Sequence, residues 1–141
     1  MPHVHLDIEL GEQIAEKAKE AGPVVLKGDY STSVLRRIYS EMNIFVGTRI
    51  HSDIFALTAG TPVVAIAYEI PKGFGIVSMV EGSDFILDIA KINKEKLWLM
   101  VVKLLLQKES MRSIICEKVK IMQQTIEETY IELISSALEE K

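Results

Sequence analysis

The sequence is poor in cysteine and lacks a hydrophobic run long enough to cross a membrane. Its single cysteine, Cys116, excludes a disulfide framework within the chain and indicates a reducing compartment. The most apolar stretch, LWLMVVKLLL at 97–106, is interrupted by Lys103 and is shorter than the roughly 20 residues of a membrane-spanning helix. The N-terminal residues mix charged and apolar positions, unlike a secretory signal. We therefore expect a cytoplasmic protein that is not transmembrane.

Several sequence motifs are also absent. There is no GxxxxGK[ST] loop and no GxGxxG after a strand, so nucleoside triphosphate or dinucleotide binding has no support. His3 and His5 are not joined by a cluster that would complete a metal site, and no Ser or Cys nucleophile with its base is visible. The net charge of −4 argues against nucleic acid as a partner. We expect neither a metal nor a nucleic-acid partner.

Short apolar runs and amphipathic segments alternate along most of the chain. The pattern predicts helices at 8–21, 32–42 and 52–59 and strands at 24–28, 44–46, 62–68 and 85–89. Such alternation is typical of an α/β fold, a Rossmann-like parallel sheet flanked by helices. The 48% hydrophobic content fits a sheet covered on both faces, or a surface covered by something else.

The pattern becomes helical from about residue 94. Helices are predicted at 94–107 and, as one long C-terminal helix, at 110–138. The first is apolar almost all round, which predicts that it is sandwiched, and Cys116 lies on the apolar stripe of the second, which predicts core packing. The domain prediction is therefore an α/β core at 1–93 and a helical segment at 94–141 packed on the same domain.

The stretch FVGTRIHS at 45–52 places a cation and an imidazole directly after a predicted strand. Turns at the carboxyl edge of a parallel sheet are where such folds bind ligands. Backbone N–H groups at a helix start there would favour an anion, Arg49 would clamp it, and a neutral His51 would accept or relay a proton. In the alternative, Thr48 or Ser52 caps the helix while Arg49 and His51 point to water. Spacing alone does not decide between the two.

The turn YEIPKGFG, after the strand at 62–68, offers a second cation. Lys72 and Gly73 are either an ordinary surface turn or a second contribution to the same anion pocket. Two cations beside a helix N-terminus would suit a doubly charged small acid.

The stretch VGTRIHSDIFALTAGTPVVAIAYEIPKG at 46–73 resembles the polysaccharide pyruvyl transferase family. The predicted strand at 24–28, the turn at 29–31 and the helical tail also fit, so the resemblance covers nearly the whole chain and only the C-terminal half of the family's proteins. It implies the C-terminal domain of a two-domain enzyme of the glycosyltransferase-B (GT-B) type. Such enzymes transfer pyruvate from phosphoenolpyruvate to a sugar of a cell-surface glycan, forming a ketal.

The resemblance also assigns roles to residues. The family's Arg-Leu-His motif, which binds phosphoenolpyruvate, matches Arg49, Ile50 and His51, and its Tyr…Lys element matches Tyr68 and Lys72 with looser spacing. His51 is expected to be catalytic. The residues expected to bind substrate are Arg49, Ile50, Ser52, Lys72 and Gly73. No cofactor is expected, since phosphoenolpyruvate is the donor substrate, and the acceptor would be a glycan or glycolipid.

The resemblance implies that the family's N-terminal domain is missing. We therefore expect an incomplete chain, inactive alone, whose cleft would be completed by a missing domain or a second chain. Two alternatives stay open. One is the donor-binding half of a glycosyltransferase or sugar-nucleotide epimerase, with Glu69 as the ribose-binding carboxylate. The other is a non-catalytic interaction module that presents its long helix to a partner.

Overall fold

The structure, a computed structural model, describes residues 5–68 and 75–139. It divides into two compact units, Met1–Leu35 and Arg36–Lys141. The sequence prediction placed a boundary elsewhere, at 93/94, between a core and a helical segment of one domain. That boundary stays a prediction.

The first unit begins with helix α1, His5–Lys17, followed by a 3-10 turn at Lys19–Ala21. Gly22, at φ 64°, ends this turn and donates its N–H to the carbonyl of Lys19. This conformation suits glycine because it has no Cβ. The predicted helix at 8–21 and its end at Gly22 are thus confirmed in outline. Lys27 and Glu12 form an ion pair within the unit.

The strand predicted at 24–28 is wrong, because these residues adopt neither helix nor strand. Val24 is 82% exposed and Leu26 39% exposed, so the apolar run is not buried as a central parallel strand would be. A run of three apolar residues between Pro23 and Gly28 carries no periodicity that would separate a strand from an extended connection.

The remaining elements form the α/β part of the chain. Helix α2 spans Thr32–Ser40, strand β1 Phe45–Gly47, helix α3 Ile50–Thr58 and strand β2 Val63–Ala67. A helical turn at 75–78 and a 3-10 turn at Ser83–Phe85 precede strand β3, Ile86–Asp88. Helices α4, Lys94–Leu106, and α5, Lys108–Glu139, follow.

The three strands form one parallel sheet in the order β1-β2-β3. Phe45 is opposite Val63 in the first pair, and Ala65 is opposite Ile86 in the second. Parallel strands joined in chain order place all carboxyl ends at the same edge. The predicted α/β class, three of its four strands and the long C-terminal helix are confirmed.

The central strand β2 buries side chains on both faces of the sheet. One face packs with α3, the 75–80 segment and α5, in a cluster of Ala56, Leu57, Val63, Ala65, Val77, Val80 and Ile115. The other face packs with α4 and the start of α5, in a cluster of Val64, Phe85, Leu87, Leu104 and Met111. The uninterrupted apolar sequence of β2 follows from this two-sided burial.

A glycine in the left-handed backbone conformation connects α3 to β2. Gly60 has φ 82°, its N–H donates to the carbonyl of Leu57, and the N–H of Thr61 donates to that of Ala56. Glycine ends the helix here as the sequence predicted. The fully buried Thr61 donates its hydroxyl to the carbonyl of Tyr39 at 2.5 Å, which ties α2 to the start of β2.

Helix α5 is packed along its first part and exposed along its second. Met111 and Ile115 are buried, and the Arg112 guanidinium donates to the carbonyls of Met42 at 2.6 Å and Ser40 at 3.3 Å. These bonds satisfy carbonyl groups at the end of α2, which a helix leaves without partners. Residues 123–138 are exposed throughout.

Two expectations about the helices are wrong. Helix α4 is not sandwiched: Leu104 is fully buried, but Trp98, Leu99 and Leu106 are 68%, 70% and 83% exposed, because only one side of α4 faces the sheet. Cys116 is exposed rather than packed in the core. It follows the buried Ile115, and one residue along a helix rotates the side chain by about 100°.

None of the helices in the described parts of the chain has the length and apolar character needed to cross a membrane.

Candidate functional site

The turn between β1 and α3 positions the predicted site residues. Strand β1 ends at Gly47, and Arg49, in extended conformation, is the N-cap of α3. No side chain caps the helix from this position. The N–H groups of Ser52 and Asp53 donate to the carbonyl of Arg49 at 2.9 and 3.1 Å. Ile50 and His51 are the first two residues of α3, and the backbone N–H groups at such positions have no acceptor within the helix.

A pocket of about 420 Å³ opens at this edge of the sheet. Its walls come from the first turns of α3, from the carboxyl end of β2 and from the 75–78 turn. The lining residues are Thr48, Ile50, His51, Asp53, Ile54, Ala65, Ile66, Ala67, Tyr68 and Ile76. Most of the lining side chains are apolar, and four are polar: Thr48, His51, Asp53 and Tyr68. This composition is typical of small-molecule sites.

The structure brings only some of the predicted residues to the pocket. Ile50 and His51 line it, and so does Tyr68, which the family resemblance had matched. Arg49 and Ser52 lie in the same turn, but among the described residues they are not part of the lining. Lys72 and Gly73, and Glu69 of the alternative interpretation, lie outside the described residues.

His51 occupies the second position of α3 and is exposed. Its imidazole therefore stays accessible to solvent and to a ligand in the pocket. The N-cap of α3 is Arg49, which makes no side-chain cap bond. The alternative in which Thr48 or Ser52 caps the helix while Arg49 and His51 point to water stays open. The assigned roles of Arg49, Ile50, His51 and Ser52 stay predictions.

Asp53 is the functional candidate that the sequence interpretation missed. Its side chain is 4% exposed, lines the pocket, and its Oδ1 has no hydrogen-bond partner among the described residues. Burial removes water from the carboxylate and raises the pKa of Asp53 to about 7. A buried carboxyl group with a perturbed pKa in a pocket is a candidate for ligand contact or proton transfer.

Gly47 makes room for this carboxyl group. A Cβ on Gly47 would lie 1.8 Å from Oδ1 of Asp53 and 2.6 Å from Cε1 of Phe45. The last residue of β1 must therefore be glycine for Asp53 to lie where it does. The signal in the sequence is this pair, a glycine closing a strand and an acid six residues later in the first turn of a helix.

The described residues contain no group of three or more His, Cys, Asp or Glu side chains arranged to hold a metal ion. The polar side chains of the pocket are a hydroxyl, an imidazole, one carboxyl and a phenol. The chemistry available from these side chains is hydrogen bonding and proton transfer.

Comparison with known proteins agrees with the motif. Residues 3–70 match the family model described as polysaccharide pyruvyl transferase. The resemblance to polysaccharide pyruvyl transferases is confirmed over these residues. The match lies in the N-terminal part of this chain. The helical tail, which the resemblance was expected to include, lies outside it. The match contains Arg49, Ile50 and His51 and ends before Lys72.

One curated relative of the pyruvyl transferase-like chain is the amylovoran biosynthesis protein AmsJ of Erwinia amylovora. The two are 31% identical over 94 residues, which cover 61% of this chain and 22% of AmsJ. This chain thus spans about a fifth of that relative's length. No solved structure matches the chain significantly.

We expect Asp53→Asn to change how stability depends on pH. The folded pKa of Asp53, about 7, lies above its ordinary value of 3.8, so the folded chain binds more protons than the unfolded chain between these values. Wild-type stability should therefore fall as pH rises from about 4 through 7, by at most about 4 kcal/mol from this group. Urea denaturation between pH 4 and 8 should show the variant gaining stability over wild type as pH rises.

Asp84→Asn is the matched control for that experiment. Asp84 is exposed, and hydrogen bonding to Lys103 lowers its pKa, so its loss should give a small effect of opposite sign. Parallel pH profiles for wild type and Asp53→Asn would contradict a buried, titrating Asp53.

Gly47→Ala should destabilise the fold by about 1–3 kcal/mol, because its Cβ would overlap Asp53 and Phe45. Gly75→Ala is the control, since nothing lies within 4 Å of a Cβ there. In the double variant Gly47→Ala/Asp53→Ala the overlap with the carboxyl is removed, so the loss in denaturation free energy should be smaller than the sum of the single losses. Strict additivity would contradict the close contact.

Proposed function

We propose that this chain binds phosphoenolpyruvate at the pocket between α3 and β2 and supplies the donor site of a polysaccharide pyruvyl transferase. The observation that supports this most is the position of Arg49, Ile50 and His51. They start a helix at the carboxyl edge of a parallel sheet, within the segment that matches the family. Open α/β sheets bind their ligands at this edge.

The local electrostatics favour an anion such as phosphoenolpyruvate. The first-turn amides of α3 and the positive end of its dipole attract negative charge. Arg49 adds a guanidinium that can hold a carboxylate or phosphate through two parallel hydrogen bonds. In this proposal Ser52 contributes its hydroxyl, and Lys72 and Gly73 close the site from the turn after β2.

His51 is the proposed proton-transfer group. In pyruvyl transfer, the methylene carbon C3 of phosphoenolpyruvate takes up a proton and becomes a methyl group. Carbon C2 then accepts an oxygen from each of two sugar hydroxyls, whose protons leave, and the C2–O bond to phosphate breaks to release phosphate. An exposed imidazole beside the bound anion can deliver or accept one of these protons.

The reaction needs more than a donor site. Since the chain spans 22% of the length of AmsJ, phosphoenolpyruvate binding is proposed for this chain and pyruvyl transfer for the enzyme that contains such a site. In that enzyme, of GT-B architecture, the present residues belong to the C-terminal domain, and the glycan acceptor enters from the opposite side of the cleft. No metal or cofactor takes part in the proposed reaction.

Arg49→Ala should weaken phosphoenolpyruvate binding at least tenfold, because it removes charge-assisted hydrogen bonds worth about 1.5–3 kcal/mol. Isothermal titration calorimetry measures the loss. The matched control is Arg37→Ala, which removes an exposed arginine of α2 that pairs with Glu41. This variant should leave affinity unchanged.

A UDP-sugar titrated in parallel separates this proposal from the donor half of a glycosyltransferase. Binding of the UDP-sugar without binding of phosphoenolpyruvate would contradict the proposed function.

A glutamine at the position matching His51 in a full-length pyruvyl transferase should lower turnover by about 10²–10⁴-fold, the usual range for loss of a general acid or base. Phosphoenolpyruvate affinity should change much less, since glutamine keeps hydrogen-bonding groups. Phosphate release is the assay, with the urea midpoint as the control for folding. Turnover near that of the parent enzyme would exclude the proton-transfer role.

A further inference from the structure

The donor site proposed above leaves Asp53 unexplained. An anion pocket has no evident need for an acid in its wall, yet this carboxyl is 4% exposed and its Oδ1 has no hydrogen-bond partner among the described residues. An unpartnered buried polar group is costly, and native structures keep few of them. Asp53 also belongs to the lining of the pocket, so a ligand bound there would lie beside this carboxyl group.

The structure holds this carboxyl in a fixed place. The backbone N–H of Asp53 donates to the carbonyl of Arg49, and its Oδ1 lies against the space that Gly47 leaves open. The side chain shares the pocket wall with Thr48, His51 and Tyr68. A polar group fixed before binding contributes without a further loss of side-chain entropy.

The surroundings of Asp53 favour its neutral form. Among the described residues that line the pocket, His51 on α3 and Tyr68 after β2 are the other ionisable groups, and Arg49 is the N-cap of α3. Phe45 and Gly47 of β1 and Ile76 of the facing turn carry no charge. Desolvation is the cause of the raised pKa, about 7. A neutral carboxylic acid has an O–H donor, which a carboxylate lacks.

We propose that Asp53 is a ligand-binding residue of this pocket that holds the anion as a neutral carboxylic acid, donating its O–H to an oxygen of the anion. Binding then takes up one proton from solvent when the carboxyl is ionised beforehand, and no covalent bond changes. The choice of phosphoenolpyruvate as the anion rests on the proposed function. The role of Asp53 applies to any small anion with phosphate or carboxylate oxygens.

The test is calorimetric titration of the full chain with phosphoenolpyruvate at pH 6 and pH 8, each in two buffers of different ionisation enthalpy. The buffer dependence gives the number of protons taken up. At pH 8 the wild type should take up nearly one proton more than Asp53→Asn, because a group with a pKa of about 7 is then about 90% ionised. Protons taken up by phosphoenolpyruvate itself cancel in this difference.

Affinity gives a second readout. The asparagine amide also donates a hydrogen bond and does not ionise. Asp53→Asn should therefore bind about tenfold more tightly than wild type at pH 8, and about equally at pH 6. Asp84→Asn, an exposed acid outside the pocket lining, should behave as wild type. Should Asp53→Asn not fold, Asp53→Ser, whose hydroxyl also donates a hydrogen bond and does not ionise in this range, takes its place in the comparison of proton uptake.

The outcomes separate this inference from the proposed function. Phosphoenolpyruvate binding with equal proton uptake in wild type and Asp53→Asn would overturn the role of Asp53 and leave the donor site standing. Weaker binding by Asp53→Asn at both pH values would contradict the expected gain in affinity at pH 8, which also overturns it. Inorganic phosphate, titrated in parallel, tests the role of Asp53 independently of phosphoenolpyruvate.

If inorganic phosphate binds with proton uptake that depends on Asp53 and phosphoenolpyruvate does not bind, the inference stands and the proposed function fails. If neither anion binds, both fail.

Discussion

The burial of β2 on both faces is the constraint on which the α/β part of the chain depends. Val63 and Ala65 belong to one hydrophobic cluster and Val64 to the other, and the strand that carries them is paired on both sides. One short segment therefore joins the two clusters. A strand buried on both faces needs covering elements on each side of the sheet, and here helices supply them. This burial also fixes where the strands end, and therefore where the pocket lies.

The pocket adds a second constraint, on volume rather than on hydrophobicity. Asp53 lies within van der Waals reach of the last residue of β1, and only glycine leaves that space. The fold thus contains a buried carboxyl group, which is destabilising, and a strand residue without a side chain beside it. Both features lie at the same edge of the sheet as Arg49 and His51. Local rules of stable folding are most often broken where a protein binds or reacts.

The sequence predicted those elements that have a long apolar pattern or two independent signals for their ends. Strand β2 was recognisable from its uninterrupted β-branched run, and the end of α3 from Gly60 followed by Pro62. The run at Val24 failed because three apolar residues do not specify whether a neighbouring strand exists. The exposed side of α4 was not predictable either, since an all-round apolar helix carries no sign of which face is covered.

The candidate site was predictable as a location but not as a chemical environment. Arg49 and His51 attract notice because they are polar between two buried elements. Asp53 does not, since an acid in the first turn of a helix is ordinary on electrostatic grounds. Its burial depends on the approach of Gly47, a contact across the strand–helix turn that spacing alone does not encode.

The exposed second part of α5 has a thermodynamic consequence. Residues 123–138 are helical without burying their side chains, so their order depends on intrinsic propensity and on cooperativity with the packed turns before them. The last turn of α5, as the structure describes it, carries no basic residue that would complement the helix dipole. Heating should therefore remove helix from this end before the sheet unfolds. Far-ultraviolet circular dichroism would then decline ahead of any probe of the core, and no single midpoint temperature would describe the chain.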